Sequence, residues 1–110
     1  MERVYNKLVR DNIPNKINSN NEICNTRILE DEEYKLELNK KLIEEAGEVI
    51  NSSNKEELIE ELADLNEVIN AILNINNITY NEVEKVRLLK KQKRGGFDKK
   101  IFLISTKNKD

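Results

Sequence analysis

The sequence predicts an all-α protein: an antiparallel bundle of three main helices, preceded by a short N-terminal helix, with short extended ends, and completed by oligomerisation. Three observations carry this. Three long stretches repeat apolar residues at helical spacing. The links between them are short, polar and marked by capping signals. The single proline, Pro14, lies outside all three stretches. With 110 residues, 37% hydrophobic and 36% charged, the chain is expected to form one domain over residues 1–110, with a small core that a partner subunit completes.

The elements follow in order. Residues 3–13, RVYNKLVRDNI, mix apolar and charged positions without a clean period and are expected to be extended. A short helix follows around Ile13–Asn18, with Pro14 in its first turn, where a missing N–H does no harm. Asn18–Asn21 is turn-like, and residues 23–29, ICNTRIL, are read as a short strand or an extended connection. The first long helix starts near Asp31 and runs to about Asn51. The second begins after Ser53 or Asn54, each with a glutamate three residues on, and ends near Ile75, before Asn76-Asn77. Thr79 and Glu82 form a further capping-box candidate for a third helix to about Lys93, stopped by Gly95-Gly96. Residues 101–105, IFLIS, are a short strand or a docked apolar tail. Asparagine is abundant, which reads as compositional bias.

Within the first two long helices, carboxylates fall where the helix should be apolar. On a wheel of about 100° per residue, Tyr34, Leu38, Leu42 and Val49 form one stripe, and Glu45 falls near its middle. Leu58, Leu62, Leu65, Ile69 and Ile72 form the next stripe, and Glu61 lies inside it. Glu48 and Asp64 stand one turn on, at the stripe edges. The link between the helices is about four residues, so they should pack antiparallel. At about 1.5 Å per residue, Glu45 lies roughly 9 Å before the end of the first helix, and Glu61 roughly 10 Å after the start of the second. The two should face each other at one height, and four carboxylates can converge on one or two divalent cations. An uncompensated buried carboxylate costs several kcal/mol, which a shared cation would offset. Solvated acidic faces are the plainer reading of either motif alone; the matching heights favour a site.

Composition narrows the ion. The chain has no histidine and one cysteine, Cys24, so an all-carboxylate site favours Mg²⁺, Mn²⁺ or Ca²⁺ over zinc or copper. Cys24 has no partner for a disulfide and no histidine base, and is read as structural or incidental in a cytoplasmic protein. No apolar run approaches a membrane span. The net charge of −2 conceals a pattern: +2 over residues 1–27, −10 over 28–69 and +6 over 70–110. An acidic middle between basic ends suits a metal site with an anionic ligand beside it. The acidic middle and 5% aromatic content argue against nucleic-acid binding.

The paired pattern Glu45-x-x-Glu48, twelve residues, Glu61-x-x-Asp64 resembles the all-α nucleoside triphosphate pyrophosphohydrolases, the superfamily of MazG and phosphoribosyl-ATP pyrophosphohydrolase. YNKLVRDNIP (Tyr5–Pro14), TRIL (Thr26–Leu29) and KRGGF (Lys93–Phe97) resemble a small MazG-like subgroup of house-cleaning enzymes, so the likeness covers nearly the whole chain. It implies a homodimer or homotetramer, with Mg²⁺ (or Mn²⁺) held by Glu45, Glu48, Glu61 and Asp64. It also implies hydrolysis of a nucleoside triphosphate to the monophosphate and pyrophosphate, the metal neutralising phosphate charge and activating a water. Glu45 or Glu48 is the expected general base, with Glu44 as runner-up or outer-shell group. Lys7, Arg10, Lys90, Lys93 and Arg94 are the candidate phosphate clamps, with Asp11 orienting Arg10 and Gly95-Gly96 offering backbone N–H groups or a plain helix cap. Tyr5 and Phe97 are read as core before base-stacking. Gly47 departs from good helix chemistry and would admit a close neighbour or be tolerated drift. Two alternatives stand beside the main reading: hydrolysis of phosphoribosyl-ATP, and a non-catalytic helical interaction module whose acids bind no metal.

Overall fold

The computed structural model describes all residues 1–110 and contains four helices and no strand. They are α1 (Ile13–Ser19), α2 (Asp31–Ile50), α3 (Lys55–Ile75) and α4 (Tyr80–Arg94). The chain divides into two compact units, Met1–Ile78 and Thr79–Asp110. The all-α class and the order of elements match the sequence reading.

Local chemistry sets each boundary. Pro14 opens α1. No side chain caps the start of α2, but Asp31, Glu32 and Glu33 place negative charge against the exposed N–H groups of its first turn. Asn54 caps α3, its side-chain oxygen accepting from the Glu57 N–H at 2.9 Å. The Glu57 carboxylate accepts from the Ser53 N–H at 2.8 Å, so Asn54 is the cap and Ser53 precedes it. α3 ends in both hydrogen bonds of a Schellman motif: Ile78 N–H donates to Leu73 O (2.9 Å) and Asn77 N–H to Asn74 O (3.2 Å). Asn77 adopts the left-handed conformation (φ 57°) this requires. Asn12, Asn20, Asn51, Asn54 and Asn76 all occupy cap positions. The asparagines read as bias therefore punctuate helix ends, where a short amide can bond to the backbone.

In the first unit, α2 and α3 pack together through a four-residue link, and two residues, Leu38 of α2 and Leu73 of α3, are buried. Tyr34, Leu42 and Val49 are half-buried beside Leu38, as the α2 stripe predicts. The α3 stripe is only partly realised. Leu65 and Ile72 are half-buried, whereas Leu58, Leu62 and Ile69 remain exposed. One neighbouring helix covers one side of α3 and leaves the rest of a wide apolar face open. α2 also carries a second apolar line on its outer side: Leu36, Ile43 and Ile50, seven residues apart, are 62%, 75% and 81% exposed.

Ahead of the hairpin, residues 23–29 form a connection with neither helix nor strand. It is tied down where Arg27 donates to both oxygens of Glu33 at 2.9 and 2.6 Å, holding that carboxyl below its ordinary range. Cys24 lies half-buried, its thiol 3.8 Å from Pro14 O and its N–H bonded to the Asn18 side chain, a structural setting.

In the second unit, Thr79 and Glu82 form the full capping box that opens α4. The helix stops at Gly95, whose φ of 85° with ψ of 174° only glycine adopts without strain. Two expectations fail here. IFLIS is neither strand nor docked tail: Ile101, Phe102, Leu103 and Ile104 are all exposed, without a pairing strand. Phe97 is fully exposed and Tyr5, in the first unit, is 62% exposed, so neither is core. Both lie in segments without secondary structure, where no neighbouring element covers the rings.

Candidate metal centre

α2 and α3 bring Glu45, Glu61 and Asp64 together. Each offers a carboxylate oxygen, and the three oxygens lie within 4.8 Å of one another. The antiparallel hairpin places Glu45 and Glu61 at one height, and the helical repeat sets Asp64 one turn after Glu61 on the same side. All three are half-buried.

The electrostatics are those of a crowded anionic site. Glu45 is held above its ordinary pKa, first by partial burial and then by the charges of Asp64, Glu44 and Glu48; Lys41 opposes. Glu61 is also raised, by desolvation, then by Glu48, Asp64, Glu45 and Glu60. Three carboxylate oxygens this close are a hard, negatively charged donor set, which fits Mg²⁺ or Mn²⁺.

Glu48, expected as a fourth ligand, is exposed and stands outside the triad, though close enough for its charge to act on Glu45 and Glu61. Glu44 pairs with Lys41 at 3.4 Å. Gly47 faces open space where a Cβ would stand, so no backbone or side chain of this chain approaches it.

The basic candidates have different surroundings. Arg10 donates from Nη2 to Asp64 Oδ1 at 2.8 Å, joining the N-terminal segment to the carboxylates. The expected Arg10–Asp11 pairing is replaced by this contact across 54 residues, because Asp64 presents its carboxylate on the same side of the fold. Lys7 instead sits over the Tyr5 ring, 5.9 Å from its centroid. Lys90, Lys93 and Arg94 are exposed on the last turns of α4, in the second unit. Sequence reasoning missed the Arg10–Asp64 pair and the Arg27–Glu33 clamp. The second had a signal, a basic residue shortly before an acidic helix start; the first had none.

The sequence matches the family described as phosphoribosyl-ATP pyrophosphohydrolase over residues 7–87, which span the N-terminal segment, the carboxylate hairpin and half of α4. No curated protein and no solved structure shows a significant match. No helix is long and apolar enough to cross a membrane.

Proposed function

The chain belongs to the phosphoribosyl-ATP pyrophosphohydrolase family, and on that premise we propose that it hydrolyses nucleoside triphosphates between the α and β phosphates, releasing pyrophosphate, with non-canonical nucleotides as substrates. Membership makes it a pyrophosphohydrolase acting on a phosphoric anhydride bond. The observation that carries the proposal is the convergence of Glu45, Glu61 and Asp64 on the two helices the family match includes.

In this reading Glu45, Glu61 and Asp64 hold Mg²⁺, and Glu48 holds it or stands next to it. When bound, the ion supplies charge neutralisation of the phosphates and acidifies a water. The carboxylates fix where phosphate charge can accumulate. Glu48, outside the triad and exposed, is the carboxylate free to accept the attacking water's proton, with Glu45 as the alternative. Arg10 and Lys7 supply positive charge to the triphosphate, Arg10 by its two-pronged geometry. No covalent nucleophile is required, which suits a chain without histidine.

The same reading includes a homo-oligomer, dimer or tetramer. Two buried leucines, each worth about 1.5–3 kcal/mol, are a thin core, while Leu36, Ile43 and Ile50 on α2 and Leu62, Leu65 and Ile69 on α3 present apolar faces that a second copy would cover.

A second reading changes only the substrate, to phosphoribosyl-ATP, and is favoured by the description of the matching family. One assay separates the two: pyrophosphate release from canonical nucleotides, damaged nucleotides and phosphoribosyl-ATP, with and without Mg²⁺. Turnover of damaged triphosphates above phosphoribosyl-ATP supports the main reading, and the reverse order supports the second. Absence of turnover on every substrate at micromolar enzyme sinks both.

A further inference from the structure

The ion pair between Arg10 and Asp64 is placed oddly for a phosphate clamp. Arg10 belongs to a segment without secondary structure, yet its guanidinium reaches across the fold to one oxygen of a carboxylate that belongs to the triad. It is the only ion pair made by Glu45, Glu61 or Asp64. The pair is solvent-accessible, with side chains 60% and 44% exposed, so it is held weakly and can open. A hard cation about 2 Å from Asp64 Oδ1 would lie within roughly 5 Å of that guanidinium, and the two positive charges repel.

We propose that Arg10 is the resting counterion of the carboxylate triad: a divalent cation displaces it from Asp64, and the released guanidinium then takes the phosphate that the cation brings. The inference rests on the metal-site reading above and adds a role that the reading does not contain. Arg10 competes with the bare cation and cooperates with the cation–phosphate complex. A single residue therefore acts in opposite directions on two successive binding events. The exposed pair ties the N-terminal segment to α3, so the exchange also moves the Arg10 side chain from the carboxylates to the ligand.

The test is calorimetric titration of the full chain with Mg²⁺ alone, then with an α,β-methylene nucleoside triphosphate in saturating Mg²⁺. Arg10→Gln should bind Mg²⁺ about two- to five-fold more tightly than the wild type, the range set by removing one exposed competing ion pair. It should bind the analogue roughly ten-fold more weakly, from loss of a charge-assisted hydrogen bond. Arg10→Lys, which keeps the charge and loses the fork, should fall between. Arg3→Gln removes the same charge from the same segment, away from any ion pair of the triad, and should change neither constant. If Arg10→Gln shifts both constants in the same direction, or leaves Mg²⁺ affinity unchanged, the counterion exchange is wrong while the metal site stands. If Arg3→Gln tightens Mg²⁺ as much as Arg10→Gln, the effect is general charge and the exchange is equally wrong. If Mg²⁺ binds neither wild type nor variant, the metal-site reading itself fails.

Discussion

Replacing Glu45 with Gln removes one charge from the triad and keeps its shape. The Glu45 oxygen lies within 4.8 Å of those of Glu61 and Asp64. Repulsion between two unit charges at that spacing is about 0.9 kcal/mol at the dielectric of water. Glu45 faces two such neighbours, and salt and exposure reduce the sum, so Glu45→Gln should stabilise the protein without Mg²⁺ by about 0.5–1 kcal/mol at pH 7, or roughly 2–6 °C in Tm. The pH dependence fixes the sign. The folded state raises the Glu45 pKa, so across the window from the ordinary carboxylate range up to that raised value the native chain binds more protons than the unfolded one. Its contribution to stability then falls as pH rises through the window, is fully unfavourable above it, and vanishes below about pH 4. The advantage of Glu45→Gln should therefore disappear in acid. Mg²⁺ reverses the order at neutral pH. At ten times its Kd it stabilises the wild type by about 1.4 kcal/mol, a gain the variant largely loses. Calorimetry at pH 4 and pH 7, with and without Mg²⁺, reads all four states. A variant less stable than the wild type without Mg²⁺ at pH 7, or one stabilised equally by the ion, would refute the reasoning.

Two further substitutions probe the scaffold. Gly47→Ala adds a methyl group into open space inside α2 and should raise stability by up to about 1 kcal/mol by thermal melting; a lower Tm would mean that a second copy occupies that face. Thr79→Ala removes the oxygen that accepts from Glu82 N–H and breaks the reciprocal capping box, which should cost about 1 kcal/mol in the first turn of α4. Hydrogen exchange should quicken at those amides while α2 and α3 are unaffected, and unchanged exchange would show the cap to be idle.

The helices were legible because their signals are local. Spacing of apolar residues, an asparagine or threonine three residues before a glutamate, and a glycine after the last turn each act within one or two turns of chain. The facing of Glu45 and Glu61 was legible too, since a short link and a fixed rise of about 1.5 Å per residue leave two neighbouring helices little freedom in height. Periodicity failed at coverage. The wheel marks Leu58, Leu62 and Ile69 as apolar, but whether an apolar face is buried depends on how many neighbours surround it, and within the first unit α2 is the helix packed against α3. The exposed line Leu36–Ile43–Ile50 was visible as a seven-residue spacing and was hidden by the stronger stripe on the inner side of the same helix.

The sequence by itself determined the helices, their ends, and the presence of carboxylates on the inner stripes of α2 and α3. Tertiary structure decided which of those carboxylates meet: Glu45, Glu61 and Asp64 share a centre, Glu48 stands outside it, and Arg10 crosses 54 residues of sequence to Asp64. The physical reason is range. Backbone hydrogen bonding and side-chain spacing act along the chain and are written in its order, whereas an ion pair or a ligand set is fixed by distances in space, which exist only once the helices have packed.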